Sequence, residues 1–116
     1  MQFPKTLENL FEMAAEFGFY SKLIAQLNKD FLLANLDVVF DNSISPNCLK
    51  EKVQNIVLEL LNNDYDSYLK LLYIIDVSEY KLKRLNGGDF VVLSEQICFE
   101  ILLRFWEKVW YRNHYK

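Results

Sequence analysis

The sequence is poor in the residues that interrupt or cross-link a fold. It has three glycines, two prolines, two cysteines and one histidine among 116 residues. Because glycine and proline break helices, their scarcity favours long regular elements. The longest apolar run, 71–75, is far shorter than the roughly 20 residues of a membrane-spanning helix. No basic segment precedes an apolar run at the N-terminus, so we expect no signal peptide and a cytoplasmic protein.

The few cysteines and the single histidine exclude several kinds of site. Cys48 and Cys98 lie far apart, no Cys-x-x-Cys occurs, and one histidine cannot complete a zinc-binding set. Both cysteines fall on apolar helical faces, where we expect them to be buried. His114 follows Cys98 by roughly 24 Å along a helix, so the two cannot form a nucleophile–base pair within that helix.

The acidic and glycine-containing segments give no stronger sign of catalysis. Asp64, Asp66 and Asp76 fall at predicted helix boundaries, where an aspartate caps free backbone N–H groups. The segment 86–89, Asn-Gly-Gly-Asp, lacks the further glycines and the Gly-Lys-Ser/Thr ending of a phosphate loop, and we interpret it as a turn between helices. We therefore expect no catalytic, cofactor-binding or metal-binding residues, and a protein that is not an enzyme.

Apolar residues in helical spacing dominate the rest of the chain. The apolar fraction of 52% and the aromatic fraction of 16% favour a buried core, and the length suffices for one domain over residues 1–116. Capping residues, Gly18 and Pro46 divide the chain into five or six helices. These helices are predicted at residues 7–17, 21–35, 46–62, 65–75, 79–85 and 89–116, with an extended loop at 36–45.

The spacing also predicts which helical faces are buried. In the second helix, Gln26, Asn28, Lys29 and Asp30 are expected mostly on the outer face. In the fourth helix, capped by Asp64 or Asp66, the inner face is expected to carry Leu69, Leu72 and Tyr73, with Ile75 as a further candidate. In the last helix, the apolar ladder repeats every four residues, at Leu93, Ile97, Ile101, Phe105 and Val109. The sequence thus predicts an all-α, irregular bundle with the long C-terminal helix as its central strut.

The C-terminal end of this last helix is aromatic and basic. From Arg104 onward the chain has four basic residues and one acidic residue, although the whole chain has a net charge of −3. Cations near a helix C-terminus complement the helix dipole, which is the simplest interpretation. The rings either close the core or, if exposed, mark a surface for a protein partner. The candidate partner-binding residues are Phe105, Trp106, Trp110, Tyr111 and Arg112.

Two functions follow as hypotheses. The first is a non-enzymatic interaction or scaffold module, self-associating as a homodimer through aromatic helix faces, because the last helix has more apolar width than one neighbour covers. The alternative is a nucleic-acid-associated protein that uses the basic tip with Lys81, Lys83 and Arg84. The acidic net charge and the lack of a reading motif disfavour this alternative.

Three segments resemble a family of small helical bacterial proteins of unknown function. They are Leu72–Leu82 (LYIIDVSEYKL), Leu93–Gln96 (LSEQ) and Trp106–Trp110 (WEKVW). The resemblance extends from about Lys22 to the C-terminus. It implies an all-helical fold, and it implies no activity and no catalytic or binding residues, because these motifs consist of helix-boundary and packing residues.

Overall fold

The computed structural model, which describes residues 3–85 and 88–114, consists of six α-helices. No strand occurs in these two ranges, and residues 36–45 form a connection without helix or strand, as predicted. The prediction of an all-α bundle with a long C-terminal helix is therefore confirmed. The helices are α1 (Leu7–Phe17), α2 (Tyr20–Leu33), α3 (Pro46–Asn63), α4 (Tyr65–Ile75), α5 (Glu79–Lys83) and α6 (Phe90–His114).

Short polar side chains start four of the helices. Thr6, Ser45, Asp64 and Ser78 each accept a hydrogen bond from the backbone N–H three residues further on. Each bond satisfies a donor that the first helical turn leaves without a partner. Of the two aspartates that could cap α4, Asp64 is the one that does so.

The start of α6 follows the same rule. Asp89 caps it by accepting a hydrogen bond from the backbone N–H of Val92 at 2.9 Å, which confirms the predicted boundary. Residues 86–87, part of the predicted turn, lie outside the described residues. Residues 115–116, the last two of the predicted aromatic tip, lie outside them as well.

Helix α6 is the element against which the others pack. It contacts α1, α2, α3 and α4. Four residues of the predicted ladder, Ile97, Ile101, Phe105 and Val109, are almost fully buried along it. Burial of such a stripe against several helices is the main source of stability in a bundle. The predicted role of the last helix as a central strut is thus confirmed.

The burial of α2 differs from the prediction at two polar residues. Gln26 and Asp30, expected on the outer face, are only 4% and 3% exposed. Both lie against α6, where Arg112 donates to the Gln26 amide oxygen and Lys108 donates to the Asp30 carboxylate. Buried polar groups are tolerated when they are paired in this way. The prediction was wrong because the pairing residues are far away in sequence.

Two further predictions of burial are wrong. Cys48 is exposed, while Cys98 is buried as expected. Cys48 lies in the first turn of α3, ahead of Leu49, the first buried residue of that helix. In α4, Leu69 and Tyr73 are exposed instead of facing the core. The buried residues of that helix are Tyr68, Leu71, Leu72 and Ile75.

Candidate functional site

The five aromatic and basic residues that the sequence singles out do not form one surface. Phe105 and Trp106 are fully buried in the core of their own chain. Trp110 is half-buried, whereas Tyr111 is 40% exposed. The guanidinium of Arg112 donates to a buried side chain of α2. In the monomer, the two most buried rings therefore offer no area to a partner.

The rings near the end of α6 pack instead into an internal aromatic cluster. The Trp106 ring lies 6.1 Å from the Phe17 ring and 5.9 Å from the Phe19 ring, measured between centroids. The Trp110 ring stacks on the imidazole of His114 at 3.7 Å. Such ring contacts stabilise the packing of α1 against α6 beyond what the burial of apolar surface contributes. The cluster closes the core around the α1–α2 turn.

The basic residues at the end of α6 join a row of polar contacts to α2. The Lys108 ammonium lies 2.6 Å from an Asp30 carboxylate oxygen, and the other oxygen accepts from the Gln26 amide at 3.2 Å. Arg112 donates to the Gln26 amide oxygen at 2.8 Å. In this α2–α6 polar network the Lys108 charge is paired with the Asp30 carboxylate. Arg112 is hydrogen-bonded to the neutral Gln26 amide and stays exposed.

The other basic residues that could bind nucleic acid also have intramolecular contacts. Arg104 donates to the backbone oxygen and to the carboxylate of Asp76, at 3.0 and 3.3 Å. Lys81 lies 3.8 Å from the Glu100 carboxylate. The Arg84 guanidinium lies over the Tyr80 ring. Lys81 and Arg104 are thus paired with acidic side chains, whereas Lys83 and Arg84 are exposed and form no ion pair with a described residue. These few exposed cations fall short of the basic stripe that is typical of nucleic-acid-binding proteins.

The cysteine and histidine side chains lie in different surroundings. Burial raises the pKa of the Cys98 thiol to about 12, so it is protonated at neutral pH. A ring nitrogen of His114 lies 2.9 Å from the backbone oxygen of Trp110. Within residues 3–85 and 88–114, no group of three or more His, Cys, Asp or Glu side chains could hold a metal ion. None of the helices in these ranges is long and apolar enough to span a membrane.

One apolar surface that the described residues leave uncovered is a stripe along α4. Tyr65, Leu69 and Tyr73 follow one another at intervals of four residues, so they share one face of the helix. Their exposed fractions are 56%, 48% and 85%. The adjoining face of α4 is buried against the rest of the bundle. We call these three residues the α4 stripe.

Beside the stripe, α4, α5 and the start of α6 enclose a groove, which we call the α4 groove. Its cavity volume is about 450 Å³, and a second cavity, which shares Leu69, Leu72, Glu79 and Leu82 with it, continues it along α4. Apart from Glu79 and Lys83, the lining is apolar or aromatic. The residues that line the first cavity are Leu61, Tyr65, Tyr68, Leu69, Leu72, Glu79, Leu82, Lys83, Leu85, Phe90, Leu93 and Ile97.

The short helix α5 forms one wall of this groove and is held by few contacts. None of its residues is buried, although Leu82 is partly so. Asp76 ends α4 in the left-handed conformation, with φ of 68°, where the two Arg104 hydrogen bonds hold it. Together with the Lys81–Glu100 ion pair, these bonds fix the turn and α5 to α6. The groove therefore has one wall, α4, that is packed into the core, and one wall, α5, that is held mainly by a few polar contacts.

The floor of the groove is uncharged at physiological pH. Tyr68 is buried there, and burial together with the nearby Tyr65 raises the pKa of its phenol to about 12. On the rim, Glu79 and Lys83 carry opposite charges. Beneath α5, burial raises the pKa of the Glu100 carboxyl, an effect that Lys81 partly offsets. An apolar, neutral floor with a mixed polar rim is suited to an apolar side chain of a partner.

The comparisons with known proteins add no function. No family model, no curated protein and no solved structure matches the chain. The resemblance to helical bacterial proteins is therefore still a prediction.

Sequence reasoning missed this surface because it placed Leu69 and Tyr73 in the core. A signal was nevertheless present: eight of the eleven residues of α4 are apolar or aromatic. A helix that packs on the bundle with only one face cannot bury eight such residues. Part of its apolar surface therefore has to be exposed or covered by another molecule. For α6, the sequence predicts the same excess of apolar width, but four helices cover the apolar face of α6.

Proposed function

We propose that this protein is a non-enzymatic protein-interaction module that binds an apolar, helical segment of a protein in the α4 groove. The observation that carries the proposal is the α4 stripe, an apolar helix face that the chain leaves open to solvent. Helix-in-groove recognition uses side chains at such spacings as anchors. The groove beside the stripe offers the complementary concave surface.

The size of the surface supports a macromolecular partner. Taking roughly 150–250 Å² for each aromatic side chain, Tyr65, Leu69, Tyr73 and Phe90 expose on the order of 450 Å² of surface. A standard interface buries about 800 Å² on each partner, of which about 57% is apolar. The exposed surface is therefore about as large as the apolar part of one side of a standard interface.

The proposal moves the interaction surface from the end of α6 to α4. Phe105 and Trp106 serve the core, and Lys108 and Arg112 serve the α2–α6 polar network. A cytoplasmic location is part of the proposal, and the two free cysteines support it. Unpaired thiols, one of them exposed, are common in reducing compartments.

The test uses a labelled model peptide that forms an amphipathic helix, with leucines at three positions spaced by four and polar residues elsewhere. We expect a saturable rise in fluorescence anisotropy with the full chain. Leu69→Glu should abolish the rise, because it places a charge at the centre of the stripe. Val39→Glu is the matched control, since Val39 is 82% exposed on a loop outside the groove.

Circular dichroism of both variants verifies that the fold is kept. The proposal fails if the wild-type chain, shown to be monomeric, does not bind the peptide. It also fails if Leu69→Glu and Val39→Glu bind the peptide equally well.

A further inference from the structure

We infer that the occupant of this surface is a second copy of the chain, with α4 packed antiparallel against the partner's α4 about a twofold axis at Leu69. The inference rests on the proposed function and names its partner. Three observations carry it: the order of residues in the stripe, the charges beside the stripe, and the shape of the groove.

The α4 stripe reads the same in both directions. An aromatic residue lies one turn before Leu69 and another lies one turn after it. A twofold axis through Leu69 therefore places Tyr65 against the partner's Tyr73, and Leu69 against the partner's Leu69. In such an isologous interface, one patch has to be complementary to itself. A tyrosine–leucine–tyrosine stripe with equal spacing meets this condition.

The charges that flank the stripe are complementary under the same symmetry. Asp66 and Lys70 are both exposed, lie on the same side of the stripe, and take part in no ion pair with any described residue. In an antiparallel pair of helices, equal flanks face each other. Asp66 is three residues before Leu69 and Lys70 one residue after it, so Asp66 and the partner's Lys70 differ by only about 3 Å along the axis. A lysine side chain spans this offset, which gives two equivalent ion pairs.

The groove supplies room for the side chain that projects furthest. Tyr73 is the most exposed of the large hydrophobic residues that the structure describes, at 85%. The twofold axis brings the partner's Tyr73 beside Tyr65, which lines the groove. The partner's ring therefore lies at the mouth of the cavity, where Tyr65 forms part of the wall. By symmetry, Tyr73 of the first copy lies beside the partner's groove. The interface therefore comprises both stripes and both grooves.

The experiment is a charge-swap series, measured by sedimentation equilibrium on the full chain. Asp66→Lys and Lys70→Asp each place like charges opposite one another, and each should weaken the dimer about tenfold. The double variant D66K/K70D restores opposite charges and should return the dissociation constant to within about threefold of the wild type. Asp37→Lys and Lys29→Asp are matched controls on exposed residues outside the interface and should leave dimerisation unchanged.

The outcomes distinguish this inference from the proposed function. The inference and the proposed function are both supported if the wild-type chain is a dimer that Leu69→Glu dissociates, and if D66K/K70D restores the dimerisation that each single charge swap weakens. A monomer that binds the model peptide in the groove overturns the second-copy inference and supports the proposed function. A dimer insensitive to Leu69→Glu, or one not rescued by the double swap, overturns the antiparallel α4 arrangement. A monomer that binds no peptide overturns both.

Discussion

Asp30 of α2 and Lys108 of α6 form an ion pair at 2.6 Å, and only 5% and 18% of their side chains are exposed. The pair joins the two helices across 78 residues of sequence. The second oxygen of Asp30 accepts from Gln26, so both oxygens of this carboxylate are hydrogen-bonded. This pair therefore fixes which face of α2 lies against α6.

Breaking this pair on one side should be costly. Asp30→Ala leaves the Lys108 ammonium without a partner in a largely buried site, and we expect a loss of about 3 kcal/mol in the free energy of unfolding. The double variant D30L/K108M should recover most of it, because a buried ion pair contributes little net stability over apolar residues of similar size. Urea denaturation measures both. Lys29→Ala, on the adjacent exposed residue, is the control, and an equal loss there would contradict this interpretation.

The pattern of helices could be predicted from the sequence because its causes are local. Thr6, Ser45, Asp64 and Ser78 cap from within a few residues, and Gly18 ends α1 in the left-handed conformation. A capping bond joins residues three positions apart, so its pattern is visible in the local sequence. Element boundaries were therefore correct to within about two residues, the usual margin of such assignments.

The side of each helix that faces the core could not be predicted equally well. Gln26 and Asp30 are buried because of partners on α6, and such long-range pairing leaves no local pattern. In α4, apolar residues occupy two adjoining faces, so periodicity alone does not show which face the bundle covers. The candidate site lies on the face that the prediction placed inside. The missing information was the position of α5 and the start of α6 beside α4.

The orientation of α4 can be tested without any partner. Leu71 is fully buried, so Leu71→Ala should lower the free energy of unfolding by about 3 kcal/mol through lost contacts and a cavity. Tyr73→Ala, one half-turn away on the same helix, should change it by less than about 0.5 kcal/mol. Thermal or urea unfolding at low protein concentration, where any dimer dissociates, gives both values. A larger loss in the free energy of unfolding for Tyr73→Ala than for Leu71→Ala would place Tyr73 in the core and contradict the α4 stripe.

Glu100 should make stability depend on pH. Its pKa is raised in the folded protein by burial, so the folded state holds a proton that the unfolded state has already released. The stability contributed by that proton is fully present below the ordinary pKa of 4.5 and is lost as pH rises through the raised value. Glu100→Gln cannot titrate, so its stability relative to the wild type should be higher at pH 7 than at pH 4. Glu95→Gln, on an exposed residue of α6, is the control. A pH-independent difference for Glu100→Gln would show that burial does not raise this pKa.

The two thiols should differ sharply in reactivity. Cys48 is exposed, whereas Cys98 is fully buried and has a pKa raised to about 12 by burial. Because the thiolate is the reacting species, an aromatic disulfide reagent should modify one thiol in the native protein and both in urea. Cys48→Ser should remove the fast phase and leave only the reaction that follows unfolding. The rate of that remaining phase then reports how often the core around α6 opens. Two fast thiols in the native protein would mean that the contact between α3 and α6, where the Cys98 sulfur lies 3.8 Å from the backbone oxygen of Lys50, is not closed in solution.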